Sequence, residues 1–182
     1  MIYIGKRQVL MRLRRYRNTD FKALAHLYRD FFNEMREWQG WVQLKLSDEE
    51  ASETAKGSLD RCSRVFVAED SGKLAGFGRI QLWDGAYFVR EIYVAKPFRR
   101  KGIGGRLLAR CEDQVLKEGE TSVYLTVEPR HAVSLSFLIK NGYDTLNMLE
   151  LRKDFGRADC PERQGIVGIL GHRLRLLRRR VN

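Results

Sequence analysis

Cysteine is scarce in this 182-residue chain: Cys62, Cys111 and Cys160 are the three present. They are odd in number, widely spaced and contain no Cys-x-x-Cys pair. No disulfide framework is therefore expected, and a reducing, cytoplasmic setting is the default reading. Histidine is as rare, and His26 and His172 lie too far apart in sequence to suggest a metal site. No apolar run approaches the roughly 18 residues of a membrane span. The opening stretch, Met1 to Leu13, is broken by Lys6, Arg7 and Arg12, so no signal peptide is expected there. Acidic residues are outnumbered, 23 against 34 basic ones, for a formal charge of +11. That balance favours anionic partners, with a solvated basic surface as the plain alternative. Two phosphate-binding motifs are missing as well: there is no Gly-x-x-x-x-Gly-Lys-Ser/Thr and no Gly-x-Gly-x-x-Gly. No internal repeat is visible.

What is present reads as a soluble globular chain, 43% hydrophobic and 31% charged. The length suits one domain with a real core and is too short for two ordinary ones. Periodicity and turn chemistry predict a strand over 9–15, an amphipathic helix over 20–38 and a second helix over about 48–61 with Ser47 as its cap. Strands follow at 64–69, 73–83 and 87–94, the last two joined by the hairpin signal Asp84-Gly85. A helix over 104–118, a strand over 122–127, a helix over 131–141 closed by Asn141-Gly142, and a strand over 145–152 complete the ordered pattern. The tail, residues 156–182, is arginine-rich. Part of 164–177 is expected to add a final strand to the sheet, with a basic partner-binding segment as the alternative.

One stretch organises the rest: Arg99-Arg100-Lys101-Gly102-Ile103-Gly104, between the apolar run 88–94 and the amphipathic run 105–117. The order is strand, glycine-rich turn, helix. Gly102 and Gly104 can take positive φ, so the turn's amides and the first free amides of the helix converge on one small volume. Such a nest at a helix N-terminus suits an anion, phosphate above all. Arg99, Arg100, Lys101 and Arg106 add positive charge around it. A solvated loop is the plain reading of the same residues.

The run from Glu91 to Leu108, with its strand ending at Val94, its Pro97-Phe98 turn and its Leu107-Leu108 helix, resembles the signature of the GNAT superfamily of acetyl-CoA-dependent N-acetyltransferases, whose pattern is Gln/Arg-x-x-Gly-x-Gly/Ala. A second block, Val127 to Tyr143, resembles the family's later strand and helix and ends in Lys140-x-Gly142-Tyr143. The resemblance covers roughly residues 11–155, and the acetyltransferase domain is expected over residues 1–155. It implies an α/β fold of a single domain, with a mixed central sheet and helices on both faces. It also implies acetyl-CoA as co-substrate and a primary amine as acceptor.

By that likeness, the strand ending at Val94 and the strand 122–127 splay apart and acetyl-pantetheine lies between them. Ile92, Tyr93 and Val94 then bind the cofactor, with main-chain groups of Ile92 and Val94 on the pantetheine and thioester carbonyl. Arg99, Arg100, Lys101, Gly102, Ile103, Gly104, Gly105 and Arg106 hold the pyrophosphate. Glu91 is the expected catalytic base, since members of the family often carry an acid there; its plain role is a partner for Arg79 or Arg90. His131 is the other candidate. The pattern departs at one point: the tyrosine that protonates the leaving thiolate in the family is replaced by Leu138. Phe137 cannot serve, and Tyr124 and Tyr93 are the possible substitutes. Two readings from other classes stay open, a non-catalytic acyl-CoA-binding module and a nucleic-acid-binding protein using the basic tail. The acceptor and a homodimeric state are not legible.

Overall fold

The computed structural model describes residues 11–39, 42–151, 153 and 163–177. The chain divides into two compact units, one containing residues up to Glu34 and Lys45–Leu125, the other Met35–Leu44 and the residues from Thr126 onward.

The first unit is built on a four-stranded antiparallel sheet in the order β1-β2-β3-β4. The strands are β1 (Arg12–Arg15), β2 (Ser63–Asp70), β3 (Lys73–Trp83) and β4 (Ala86–Val94). Helix α1 (Phe21–Gln39) starts in this unit after a 3-10 turn at Asn18–Asp20. Its apolar residues recur every three to four positions, so Leu24, Leu27 and Tyr28 fall on one stripe and are buried. That stripe packs with Ala55 of α2 (Asp48–Gly57) on Val65, Val67, Phe77 and Tyr93 of the sheet. Ser47 and Glu50 close a reciprocal capping box at the start of α2: the Glu50 amide donates to Ser47 Oγ at 3.2 Å, and the Ser47 amide donates to Glu50 Oε2 at 2.8 Å. Helix α3 (Ile103–Lys117) contacts all four strands and buries Leu107, Leu108, Cys111 and Val115. Alternation along β2 sends Phe66 to this helix, where Arg110 lies over its ring at 4.6 Å. Gly78 permits the close approach: a methyl group there would lie 2.9 Å from Ile92 Cδ1 and 3.0 Å from Cys111 Sγ. Burial pushes the Cys111 thiol up to about 12.

Within the second unit, α4 (Ala132–Lys140) follows His131, whose ring meets Trp38 edge-on at 4.7 Å. Arg130 lies over the same indole at 5.7 Å and pairs with Glu128. Strands β5 (Arg163–Ile169) and β6 (His172–Leu177) form an antiparallel hairpin.

Several expectations need correcting. Helix α2 stops at Gly57, where glycine weakens the helix and the Ser58 amide closes on Thr54 O. The expected strand 122–127 is reduced to one parallel bridge, Tyr124 with Phe88. The expected strand 145–152 is absent over residues 143–151: alternation defined two faces, but no partner strand is present among the described residues, and Leu146, Met148, Leu149 and Leu151 are exposed. The tail holds two strands where one was expected. Leu170 and Gly171, at φ 49° and 80°, make the tight turn whose hand matches hairpin twist. The remainder of 156–182 lies outside the described residues.

Candidate active site

The site begins with an irregularity in β4. The Val89 amide donates to Tyr124 O at 2.8 Å, and the Tyr124 amide donates to Tyr87 O at 2.9 Å, so odd-numbered residues at the start of the strand face away from β3. At the other end the Ala95 amide donates to Ala75 O at 2.9 Å, toward β3. Unbroken alternation cannot connect the two. The pairing passes from Ile80–Val89 to Arg79–Glu91, leaving Arg90 as the extra residue of a β-bulge. Beyond it the parity reverses, and the amides and carbonyls of Ile92 and Val94 face away from β3. Since the partner run is bridged only at Tyr124 among the described residues, this edge is open. The bulge orients the main-chain groups of these two residues, the ones the family likeness implies for the cofactor arm.

The edge runs into the turn. Pro97 lies in a 3-10 turn, Lys96–Phe98, from which the chain folds back. Arg100 and Gly102 are both left-handed, at φ 64° and 74°. Gly102 caps α3 without a side-chain hydrogen bond, and the first main-chain bond of the helix is the Arg106 amide to Gly102 O at 3.2 Å. The amides of Ile103, Gly104 and Gly105 precede the first intrahelical donor, the Arg106 amide, and point out of the helix end. Two left-handed residues ahead of free helix amides make a concavity at the positive end of the helix dipole, a geometry that suits an anion. Several of the basic side chains around it are engaged elsewhere. Lys101 lies over the Phe98 ring at 5.6 Å, and Arg106 reaches Met11 O at 3.5 Å. Arg99 donates from Nε to Val94 O at 2.8 Å and from Nη2 to Glu34 Oε2 at 2.6 Å. The concavity is therefore mainly a backbone device.

The bulge also sets the side chain of Glu91. It turns to the α1 face, opposite Arg79, which donates from Nε to Glu91 Oε2 at 2.5 Å and from Nη2 to Glu91 Oε1 at 2.8 Å. The two side chains are 8% and 11% exposed. Nη1 of Arg79 reaches Ser63 Oγ at 3.0 Å, and the Tyr28 hydroxyl lies 3.5 Å from Glu91 Oε2. Burial opposes the charge on Arg79, but the hydrogen bonds and charge of Glu91 outweigh it, and the guanidinium is held above its ordinary value. Burial, with the Glu91 charge behind it, pushes the Tyr28 phenol upward. Tyr93, two residues on, donates its hydroxyl to Glu34 Oε1 at 2.6 Å, and its pKa is raised by burial and then by that carboxylate.

Residues 21–143 match the Acetyltransferase (GNAT) family. The chain belongs to the GNAT family. An uncharacterised N-acetyltransferase of Bacillus subtilis strain 168, YhfO, is 25% identical over 146 residues, covering 74% of this chain and 90% of that protein. Among solved structures, the aminoglycoside N-acetyltransferase AAC(6')-Iy in complex with CoA superimposes with a TM-score of 0.65 at 15% identity, covering 84% of this chain and all of that one (100%). The PaiA N-acetyltransferase of Thermoplasma acidophilum in complex with coenzyme A gives 0.59 at 21% identity, covering 73% and 89%. These likenesses show a GNAT fold, a mixed α/β fold with an antiparallel sheet and helices. Acetyl-CoA is the co-substrate that membership of this family brings.

The site residues of this GNAT chain fall into three groups. Ile92, Val94 and the stretch Arg99 to Arg106 form one continuous edge and turn. Glu91 and Tyr93 turn from that edge toward α1. His131 and Leu138 belong to the second unit, where Leu138 is buried and its carbonyl accepts the Asn141 and Tyr143 amides. Sequence reasoning missed Glu34 as the partner of Tyr93 and Arg99. Its only signal was an acid near the end of an amphipathic helix, one of several in 31–50. Among the described residues no group of three or more His, Cys, Asp or Glu side chains could hold a metal. No helix among them is long and apolar enough to cross a membrane.

Proposed function

We propose that this chain transfers the acetyl group of acetyl-CoA to a primary amine. The observation that carries the reading is the reversal at Arg90, which leaves Ile92 and Val94 on an open edge leading directly into the Arg100–Gly105 concavity. An extended, amide-bearing arm ending in a pyrophosphate is the complement of that surface: strand-like groups along one side, anion-binding amides at the end. Bound there, acetyl-CoA supplies an activated acetyl group as its thioester.

The residues of the chain then divide the work. The amides of Ile103, Gly104 and Gly105 hold phosphate oxygens. The main-chain groups of Ile92 and Val94 align the arm, and an amide of this edge donates to the thioester oxygen as negative charge develops on it. Glu91 takes the proton that the amine loses on attack, with Arg79 fixing its carboxylate. The departing thiolate has no donor at Leu138; of the two tyrosine substitutes, the Tyr93 hydroxyl is engaged with Glu34, which leaves Tyr124 as the candidate.

Calorimetric titration with coenzyme A tests the reading. Gly102→Asp places a side chain and a negative charge at the left-handed cap of the concavity. We expect a folded protein that no longer binds. Unchanged affinity in the folded variant would overturn the site. A panel of acceptors, covering polyamines, lysine, peptide N-termini and small amines, then identifies the class of amine by coenzyme A release.

A further inference from the structure

Arg99 holds the first position of the glycine-turn pattern, where the sequence alone makes it a phosphate ligand. Its side chain does something else. The 3-10 turn at Lys96–Phe98 folds the chain back, with the Phe98 amide on Ala95 O at 2.9 Å and the Arg99 amide on Lys96 O at 3.3 Å. This returns the guanidinium to the end of β4. Nε donates to Val94 O, the last carbonyl on the open edge, and Nη2 donates to Glu34 Oε2. The guanidinium carbon lies 5.5 Å from the Tyr93 ring centroid, and Tyr93 holds the other oxygen of Glu34. Glu34 thus offsets the charge of Arg99, and one fork bridges β4 and α1.

We infer that Arg99 is a positioning residue for the acyl arm and not a phosphate ligand. The inference rests on the acetyl-CoA reading above. An arm pairing along the open edge can use the amide and carbonyl of Ile92 and the amide of Val94. The carbonyl of Val94 is already taken. The oxygen keeps a second lone pair, but the guanidinium held on it stands at the end of the ladder and disfavours the register displaced by two residues, which would shift the thioester by about 6.6 Å along the strand. The phosphates sit on backbone amides that Arg99 does not supply.

The two roles separate in kinetics. With Arg99→Ala, the dissociation constant for coenzyme A should stay within about twofold, because the concavity is intact. The turnover number should fall about tenfold, the scale of one charge-assisted hydrogen bond. With S-acetylpantetheine, which has no nucleotide to anchor it, the loss should be at least as large. Arg99→Lys, which keeps a donor for Val94 O, should recover part of the rate. Glu34→Gln, which loosens the same fork from α1, should reproduce the fall, and the double variant should be no slower than the worse single one.

A loss of coenzyme A affinity with turnover preserved, or a defect confined to acetyl-CoA and absent with S-acetylpantetheine, would make Arg99 a phosphate ligand and overturn the inference. Additive effects of the Arg99 and Glu34 substitutions would overturn it too. Failure of the unmodified chain to bind coenzyme A refutes the functional reading itself, and the inference with it.

Discussion

Replacing Glu91 with glutamine changes one atom type in the most buried ion pair of the sheet face and tests two claims at once. In the parent, Arg79 and Glu91 share two hydrogen bonds, with side chains 8% and 11% exposed. Glutamine keeps the shape and one acceptor but leaves the buried guanidinium without the Glu91 charge, its oxygen partners reduced to the amide oxygen and Ser63 Oγ. Removing one member of a buried pair costs about 3–5 kcal/mol, and glutamine's residual acceptor places this case at the low end. A chain of this size loses roughly 2–4 °C of melting temperature per kcal/mol, so a fall of about 6–12 °C is expected at that low end. Circular dichroism melts measure it. Initial rates must then be compared at a temperature where both proteins are folded, so that the stability loss does not pass for a catalytic one. There the rate should fall about 100-fold or more, as for loss of a general base, with coenzyme A affinity little changed. Arg79→Lys serves as a companion, since it keeps the charge and loses the two-pronged geometry. A melting temperature within about 2 °C of the parent would refute the buried-pair reasoning. A near-normal rate in the folded variant would return Glu91 to a purely structural partnership and move proton acceptance to His131 or water.

Asp20 gives a pH-dependent case: the hydrogen bond from Arg14 outweighs burial, and with the Arg17 amide it holds the carboxyl below its usual range. A depressed folded value stabilises the protein above the unfolded carboxylate pKa of about 3.9 and is lost as the pH falls through the lower folded value. Asp20→Asn should therefore be less stable than the parent in urea melts at pH 7, with the gap narrowing as the pH falls below the unfolded carboxylate value of about 3.9; a gap unchanged by acid would refute the linkage. Gly76 tests the fit of β3 to the end of β4, because a Cβ there would lie 2.4 Å from the Tyr93 carbonyl oxygen, a backbone atom. Gly76→Ala should lower the denaturant midpoint by the equivalent of about 1–3 kcal/mol, and a neutral result would show that the strands part without cost.

Local chemistry was legible in the chain itself. The helical stripe from Leu24 to Phe32, the Ser47–Glu50 cap, the Asp84-Gly85 hairpin and the strand–turn–helix at Val94 to Leu108 are each written within a few residues. Steric and hydrogen-bonding rules at that range depend little on the rest of the fold. The family likeness was legible for the same reason, since its signature is such a turn. Tertiary structure decided whatever needed a partner distant in sequence. The bulge at Arg90 exists only against β3, yet it determines which backbone groups of Ile92 and Val94 are offered and which way Glu91 turns. Tyr124 stops at one bridge, and residues 145–151 form no strand among the described residues, because alternation supplies faces and not a neighbouring strand. Arg99 reads as a free charge of the turn until Glu34, 65 residues earlier, is placed beside it. A charge pattern in one dimension cannot say which opposite charge the fold will bring within hydrogen-bonding distance.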